Sequence, residues 1–112
     1  MLQALFGSKG FENISITDYM EDFDGVDHTL IDVRTASEFR EGHMPGTINI
    51  PLNEIGRRTD EIPTNRPVVL VCATGNRSGA AARQLAGAGR EHLYNLTGGI
   101  SAWARAGHPV ER

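Results

Sequence analysis

Along the chain, short apolar runs alternate with amphipathic stretches of helical spacing. Phe11 to Ile14 reads as a first strand. Ser15, with Asp18 three residues on, makes a capping-box pattern that opens a helix through Tyr19, Met20 and Phe23. Thr29 to Val33 reads as a second strand. Thr35 and Glu38 repeat the capping pattern and start a short helix ending near Gly42. Thr47 to Ile50 reads as a third strand, set between Pro45, Gly46 and Pro51, and Leu52 to Ile62 as a short helical stretch. Val68 to Val71 is continuously apolar and follows Pro67, the signature of a strand buried on both faces at the centre of a parallel sheet. From Ser78 to Ala88 the pattern is helical, with Ala81, Leu85 and Ala88 on one face. His92 to Asn95 reads as the last strand, and a last helix from Ile100 through Trp103 is entered by Gly98 and Gly99.

Strands and helices alternating at this spacing predict an α/β sandwich around a mostly parallel sheet. In such sheets, sites lie beyond the carboxyl ends of the strands. Two places qualify: Cys72 after Val71, and the end of the second strand with Asp32 and Arg34.

Composition narrows the chemistry. With 112 residues the chain has the size of one domain, and residues 1–112 are read as a single unit. Eleven Lys and Arg against 14 Asp and Glu, with no run of like charge, leave no electrostatic footprint for nucleic acid or an anionic membrane surface. The single cysteine excludes an internal disulfide and a multi-cysteine metal site, and His28, His43, His92 and His108 lack ligand spacing. No metal and no cofactor are expected, since there is also no glycine-rich nucleotide cradle. The N-terminus has a short apolar patch but no leading basic residues and no signal-peptide core, so a soluble cytoplasmic protein with a free thiol is expected.

The chemistry concentrates in Cys72, Ala73, Thr74, Gly75, Asn76, Arg77 and Ser78. Cys72 emerges from the buried strand, and Gly75 lets the following loop curl so that consecutive N–H groups turn inward as an anion cradle. The helix N-terminus adds unpaired N–H groups and a positive dipole end, and Arg77 adds a full charge at the rim. Each favours a thiolate, so the Cys72 pKa is expected below the usual value of about 8.5. A lone cysteine is commonly an inert buried hydrophobe; the strand end, the loop and the arginine together favour a nucleophile beside an anion site. Arg34 and Glu38, four apart, read as a supporting pair across a turn rather than substrate contacts. His43 reads as ordering its turn, and Trp103 as a packing residue.

Several motifs in order resemble the rhodanese-like sulfurtransferase family in its single-domain form. They are Leu30-Ile-Asp32-Val-Arg34, Glu38-Phe39, Gly42-His43-Met-Pro45-Gly46-Thr-Ile-Asn49-Ile-Pro51, the Cys72 to Ser78 loop, and Leu96-Thr-Gly98-Gly99-Ile-Ser-Ala-Trp103. The resemblance implies a three-layer sandwich, with about five mostly parallel strands flanked by helices. It also implies transfer of a sulfane sulfur from a small anionic donor such as thiosulfate, through a Cys72 persulfide, to a thiophilic acceptor such as cyanide, a small thiol or a sulfur-accepting protein. The family's loop carries over onto Ala73 to Ser78 as the amide pocket, and Asp32 would support the loop from the neighbouring strand end. Four residues separate Cys72 from Arg77, against five in the related cysteine phosphatases and arsenate reductases. The shorter loop suits the terminal sulfur of a persulfide better than a tetrahedral phosphate. Two other readings stand beside it: a persulfide-binding module that docks a protein partner and relays sulfur to it, and, disfavoured by the loop length, a cysteine phosphatase or arsenate reductase. With no second cysteine to discharge a persulfide internally, release would go to an external acceptor, with ping-pong kinetics.

Overall fold

The computed structural model describes residues 10–112; the N-terminal apolar patch lies outside them. Five strands, β1 (Phe11–Ile14), β2 (Thr29–Asp32), β3 (Ile48–Asn49), β4 (Val68–Val71) and β5 (Leu93–Leu96), form one parallel sheet in the order β1-β5-β4-β2-β3. The expected central strand is β4. It pairs in register with β2, Asp32 opposite Val71, and with β5, Leu70 opposite Asn95. The carboxyl ends of β2, β4 and β5 therefore line up along one rim.

Alternation along β4 explains the layers. Val68, Leu70 and Cys72 face one core with Phe11, Ile31, Ile55, Ala81, Leu85 and Leu93, while Val69 and Val71 face a second with Ile14, Phe23, Leu30, Met44, Ile100 and Trp103. The first face is covered by α3 (Asn76–Gly87), and the second by α1 (Ile16–Phe23) and α4 (Gly99–Arg105). The small residues Ala81 and Ala82, both fully buried, bring α3 close to the sheet. This is the expected three-layer α/β sandwich. Trp103 is buried with its indole N–H donating to the Pro109 carbonyl, as a packing residue.

Both capping boxes form, Ser15 with Asp18 on α1 and Thr35 with Glu38 on α2 (Ala36–Glu41). Three elements differ from the pattern reading. The third strand shortens to two residues, pairing with β2 alone at the sheet edge. Leu52 to Ile62 is not one helix but two 3-10 segments, Leu52–Arg57 and Thr59–Glu61. The helix expected from Ser78 begins two residues earlier, capped by Gly75 with φ of 108°.

Candidate active site

Cys72 is the first residue past β4, 1% exposed, and the loop folds back over it. The Gly75 N–H donates to Sγ at 3.1 Å, and the Ser78 hydroxyl lies 3.4 Å from Sγ. Burial pushes the thiol pKa up, but the Ser78 hydroxyl and the amides of Ser78, Gly75 and Thr74 outweigh it, leaving the group below its ordinary value. Ser78 stands in the first turn of α3, where backbone N–H groups have no helical acceptor and can serve the sulfur instead.

The loop carbonyls are turned the other way by α4. Gly98 N–H donates to the Thr74 carbonyl, Ile100 N–H to Cys72 and Ser101 N–H to Ala73. Fixing three successive carbonyls away from Sγ leaves the amides of the same peptides on the sulfur side. This close docking requires Gly99, whose φ is 57° and whose absent Cβ would sit 2.3 Å from the Cys72 carbonyl oxygen. The sequence shows Gly98 and Gly99 only as the entry to the last helix; no local pattern shows that they press on the cysteine peptide.

At the rim, Arg77 is not an isolated charge. Its two terminal nitrogens donate to the Glu38 carboxylate at 2.7 and 3.0 Å, bridging 39 positions in sequence. Glu38 therefore does not pair with Arg34, contrary to the spacing argument: Arg34 precedes the Thr35 cap, so the two never share a helix face. The Arg77 guanidinium and the Thr35 cap hold the Glu38 carboxyl down at about 2. A carboxyl depressed in the folded chain binds fewer protons there than when unfolded, so its stabilisation is complete above about 4.5 and is lost as pH falls toward 2. At this exposure, about a third for each side chain, the pair is worth under about 1 kcal/mol. The stability deficit of Glu38→Gln, measured by urea titration, is expected to be full at neutral pH and to vanish near pH 2; a deficit independent of pH would remove the ion pair as its cause.

Arg34 binds Asp32 instead. The Asp32 carboxylate, fully buried, accepts from the Arg34 backbone N–H, Nε and Nη2 at 2.7 to 3.0 Å. The hydrogen bonds of that carboxylate go to Arg34 and none to the 72–78 loop, so any support it gives the loop from the neighbouring strand end passes through Arg34. The support runs in steps: Arg34 also donates to the Gly42 carbonyl at the end of α2, and α2 carries Glu38, which grips Arg77. Asn49 ties the same turn down, its Nδ2 donating to the carbonyls of Asp32 and Arg34. Asp32→Asn removes the negative charge from a nearly buried guanidinium and is expected to lower unfolding stability by about 2 kcal/mol in urea titration. A loss below about 0.5 kcal/mol would show the pair to be dispensable.

Sequence reasoning missed Asn95. It lies in β5 with Oδ1 2.5 Å from the Ser78 hydroxyl and Nδ2 directed at Asn13 and the Gly75 carbonyl. His43 stacks on Phe39 and hydrogen-bonds its carbonyl, ordering its turn. Among the described residues no group of three or more His, Cys, Asp and Glu is placed to hold a metal ion, and no helix is long and apolar enough to cross a membrane.

Together these features define an α/β domain with a cysteine at the carboxyl rim of a parallel sheet, enclosed by a loop that turns the Gly75 N–H and the Ser78 hydroxyl to its sulfur. The chain belongs to the rhodanese-like domain family, which it matches over residues 15–106. It is 41% identical over 87 residues to a sulfurtransferase of Allochromatium vinosum, covering 78% of this chain and 81% of that protein. It is 33% identical to the thiosulfate sulfurtransferase GlpE of Pseudoalteromonas translucida, covering 91% and 98%. A rhodanese-related protein of Thermoplasma volcanium superposes with a TM-score of 0.80 at 31% identity, over 89% of this chain and 97% of the other. The stretch that is 47% identical to the uncharacterized protein YqhL of Bacillus subtilis spans 59% of that protein's length.

Proposed function

We propose that the protein transfers a sulfane sulfur through a persulfide on Cys72. The observation that carries this reading is the convergence of the Gly75 amide and the Ser78 hydroxyl on a buried Sγ. That arrangement favours the thiolate and would hold a charged sulfur bonded to it. The Sγ thiolate attacks the outer sulfur of the donor, taken as thiosulfate; a new S–S bond forms, the donor's S–S bond breaks, and its electron pair leaves with sulfite. The terminal sulfur, now anionic, is held by the amides of Ala73 to Ser78. The Arg77 Nε–H, which Glu38 does not engage, is left to meet the donor's oxygens. An acceptor, cyanide or a thiolate of a small molecule or protein, then attacks the terminal sulfur and Cys72 departs as the thiolate, restoring the starting state. Asp32 and Arg34 keep α2 in place behind Arg77.

The test is intact mass after incubation with thiosulfate and again after adding cyanide. The expected result is a gain of one sulfur atom that cyanide removes. If no sulfur is gained while Cys72 still reacts with iodoacetamide, thiosulfate is not a donor for this site. Initial rates varied in both substrates are expected to give the parallel lines of a ping-pong cycle.

A further inference from the structure

Ser78 and Asn95 lie against each other beneath the sulfur loop, and the transfer chemistry above gives Asn95 no part. Ser78 is fully buried and Asn95 is 4% exposed. The Ser78 hydroxyl is 2.5 Å from Asn95 Oδ1 and 3.4 Å from Cys72 Sγ. A hydroxyl carries one proton, so it donates to one of these two acceptors at a time.

The orientation of the Asn95 amide is fixed by its other neighbours. Nδ2 lies 3.2 Å from the Gly75 carbonyl oxygen and 2.9 Å from Asn13 Oδ1. Turning the amide over would set two oxygens against each other at Gly75, so Oδ1 faces Ser78. While the thiol is protonated, Ser78 gives its proton to Asn95 and its lone pairs face the S–H. Ionising Cys72 sets those lone pairs against a negative sulfur. The hydroxyl then turns its proton toward Sγ, and Asn95 Oδ1 is left buried without a donor, which carries a desolvation cost.

We propose that Asn95 is a positioning residue that competes with Cys72 for the single Ser78 proton and so opposes thiolate formation. A second consequence rests on the persulfide reading: once sulfur is bound, the charge has moved to the terminal atom, Sγ is neutral, and Ser78 returns its proton to Asn95. The competition therefore favours the loaded state over the free thiolate.

The test is the pH dependence of iodoacetamide alkylation of Cys72, without any sulfur donor, in wild type, Asn95→Leu, Ser78→Ala and the double variant. Leucine keeps the branched heavy-atom shape of asparagine, with bulkier methyl ends and no acceptor, and the Gly75 carbonyl keeps the Gly79 N–H at 3.1 Å. The midpoint is expected to fall by roughly half a unit to one unit in Asn95→Leu, the worth of one net hydrogen bond. It is expected to rise in Ser78→Ala, where adding Asn95→Leu moves it no further. An unchanged or raised midpoint in Asn95→Leu, or the same fall with and without Ser78, overturns the proposal. Should Asn95→Leu lack a cooperative thermal transition, Asn13→Ala carries the test at an exposed position. It unties one end of the Asn95 amide, and a smaller fall is expected; no fall counts against the proposal. Alkylation needs no donor, so a protein that titrates as expected yet gains no sulfur from thiosulfate removes thiosulfate as the donor and leaves the competition for the Ser78 proton standing.

Discussion

Cys72→Ser is expected to fold and to gain no sulfur at all under conditions in which the wild type gains one atom. The position is 1% exposed, and a buried hydroxyl without partners would cost stability. Here the Gly75 N–H donates to the γ atom and the Ser78 oxygen lies within reach to accept from a serine hydroxyl, so the new hydroxyl finds partners and the melting temperature stays within a few degrees of wild type. Chemistry is lost for a different reason. The loop lowers a thiol that ordinarily titrates near 8.5; an alkanol lies several units higher, beyond the reach of three amides and a hydroxyl. Uptake of sulfur by this variant, read by intact mass, would remove Cys72 from the reaction.

Gly99→Ala has the second large effect, on a residue that touches no substrate. The new Cβ would meet the Cys72 carbonyl oxygen at 2.3 Å and the Ala73 carbonyl at 2.6 Å, all backbone atoms that cannot swing aside. The φ of 57° adds a further penalty for any residue with a side chain, about 1 kcal/mol. Relief requires α4 to back away, which breaks the hydrogen bonds that the Ile100, Ser101 and Gly98 N–H groups donate to the Cys72, Ala73 and Thr74 carbonyls and lets those peptides rotate. A misplacement of about 1 Å in such a cradle is worth roughly 100-fold in rate. Sulfur transfer should fall by at least that factor, and the Cys72 alkylation midpoint should rise toward that of a free thiol. Transfer within a factor of three of wild type would mean that the loop holds its shape without α4.

These two residues mark the boundary of what the sequence discloses. Cys72 was legible because its context is contiguous: an apolar strand, then a glycine loop, then a helix. The capping boxes at Ser15 and Thr35 were legible for the same reason. Gly99 was visible as a turn, but its pressure on Cys72 joins positions 27 apart, and nothing in either segment announces it. Glu38 was assigned to Arg34 because four-residue spacing is the only pairing that sequence displays, whereas its partner Arg77 arrives through the crossover between β2 and β4. Asn95 read as the end of a strand; its role beside Ser78 depends on the register of β4 with β5. Where the reading stretched a strand, at Thr47 to Ile50, the missing factor was sheet position: an edge segment with one neighbour is held by turns and side-chain ties as much as by ladder bonds.

The strand order bears on how the chain is made. β1 lies at the sheet edge and pairs with β5, Ile14 opposite Leu96. β1 therefore leaves the ribosome long before β5, its ladder partner, has been made. Contacts of such long sequence separation form late and slow folding. During synthesis β2, β3 and β4 can assemble around Val68 to Val71 first, leaving the Cys72 loop without the amides that shape it until α4 has docked. A nascent chain truncated before Gly98 would carry the cysteine yet lack the cradle, so reactivity arrives only when synthesis is complete through α4.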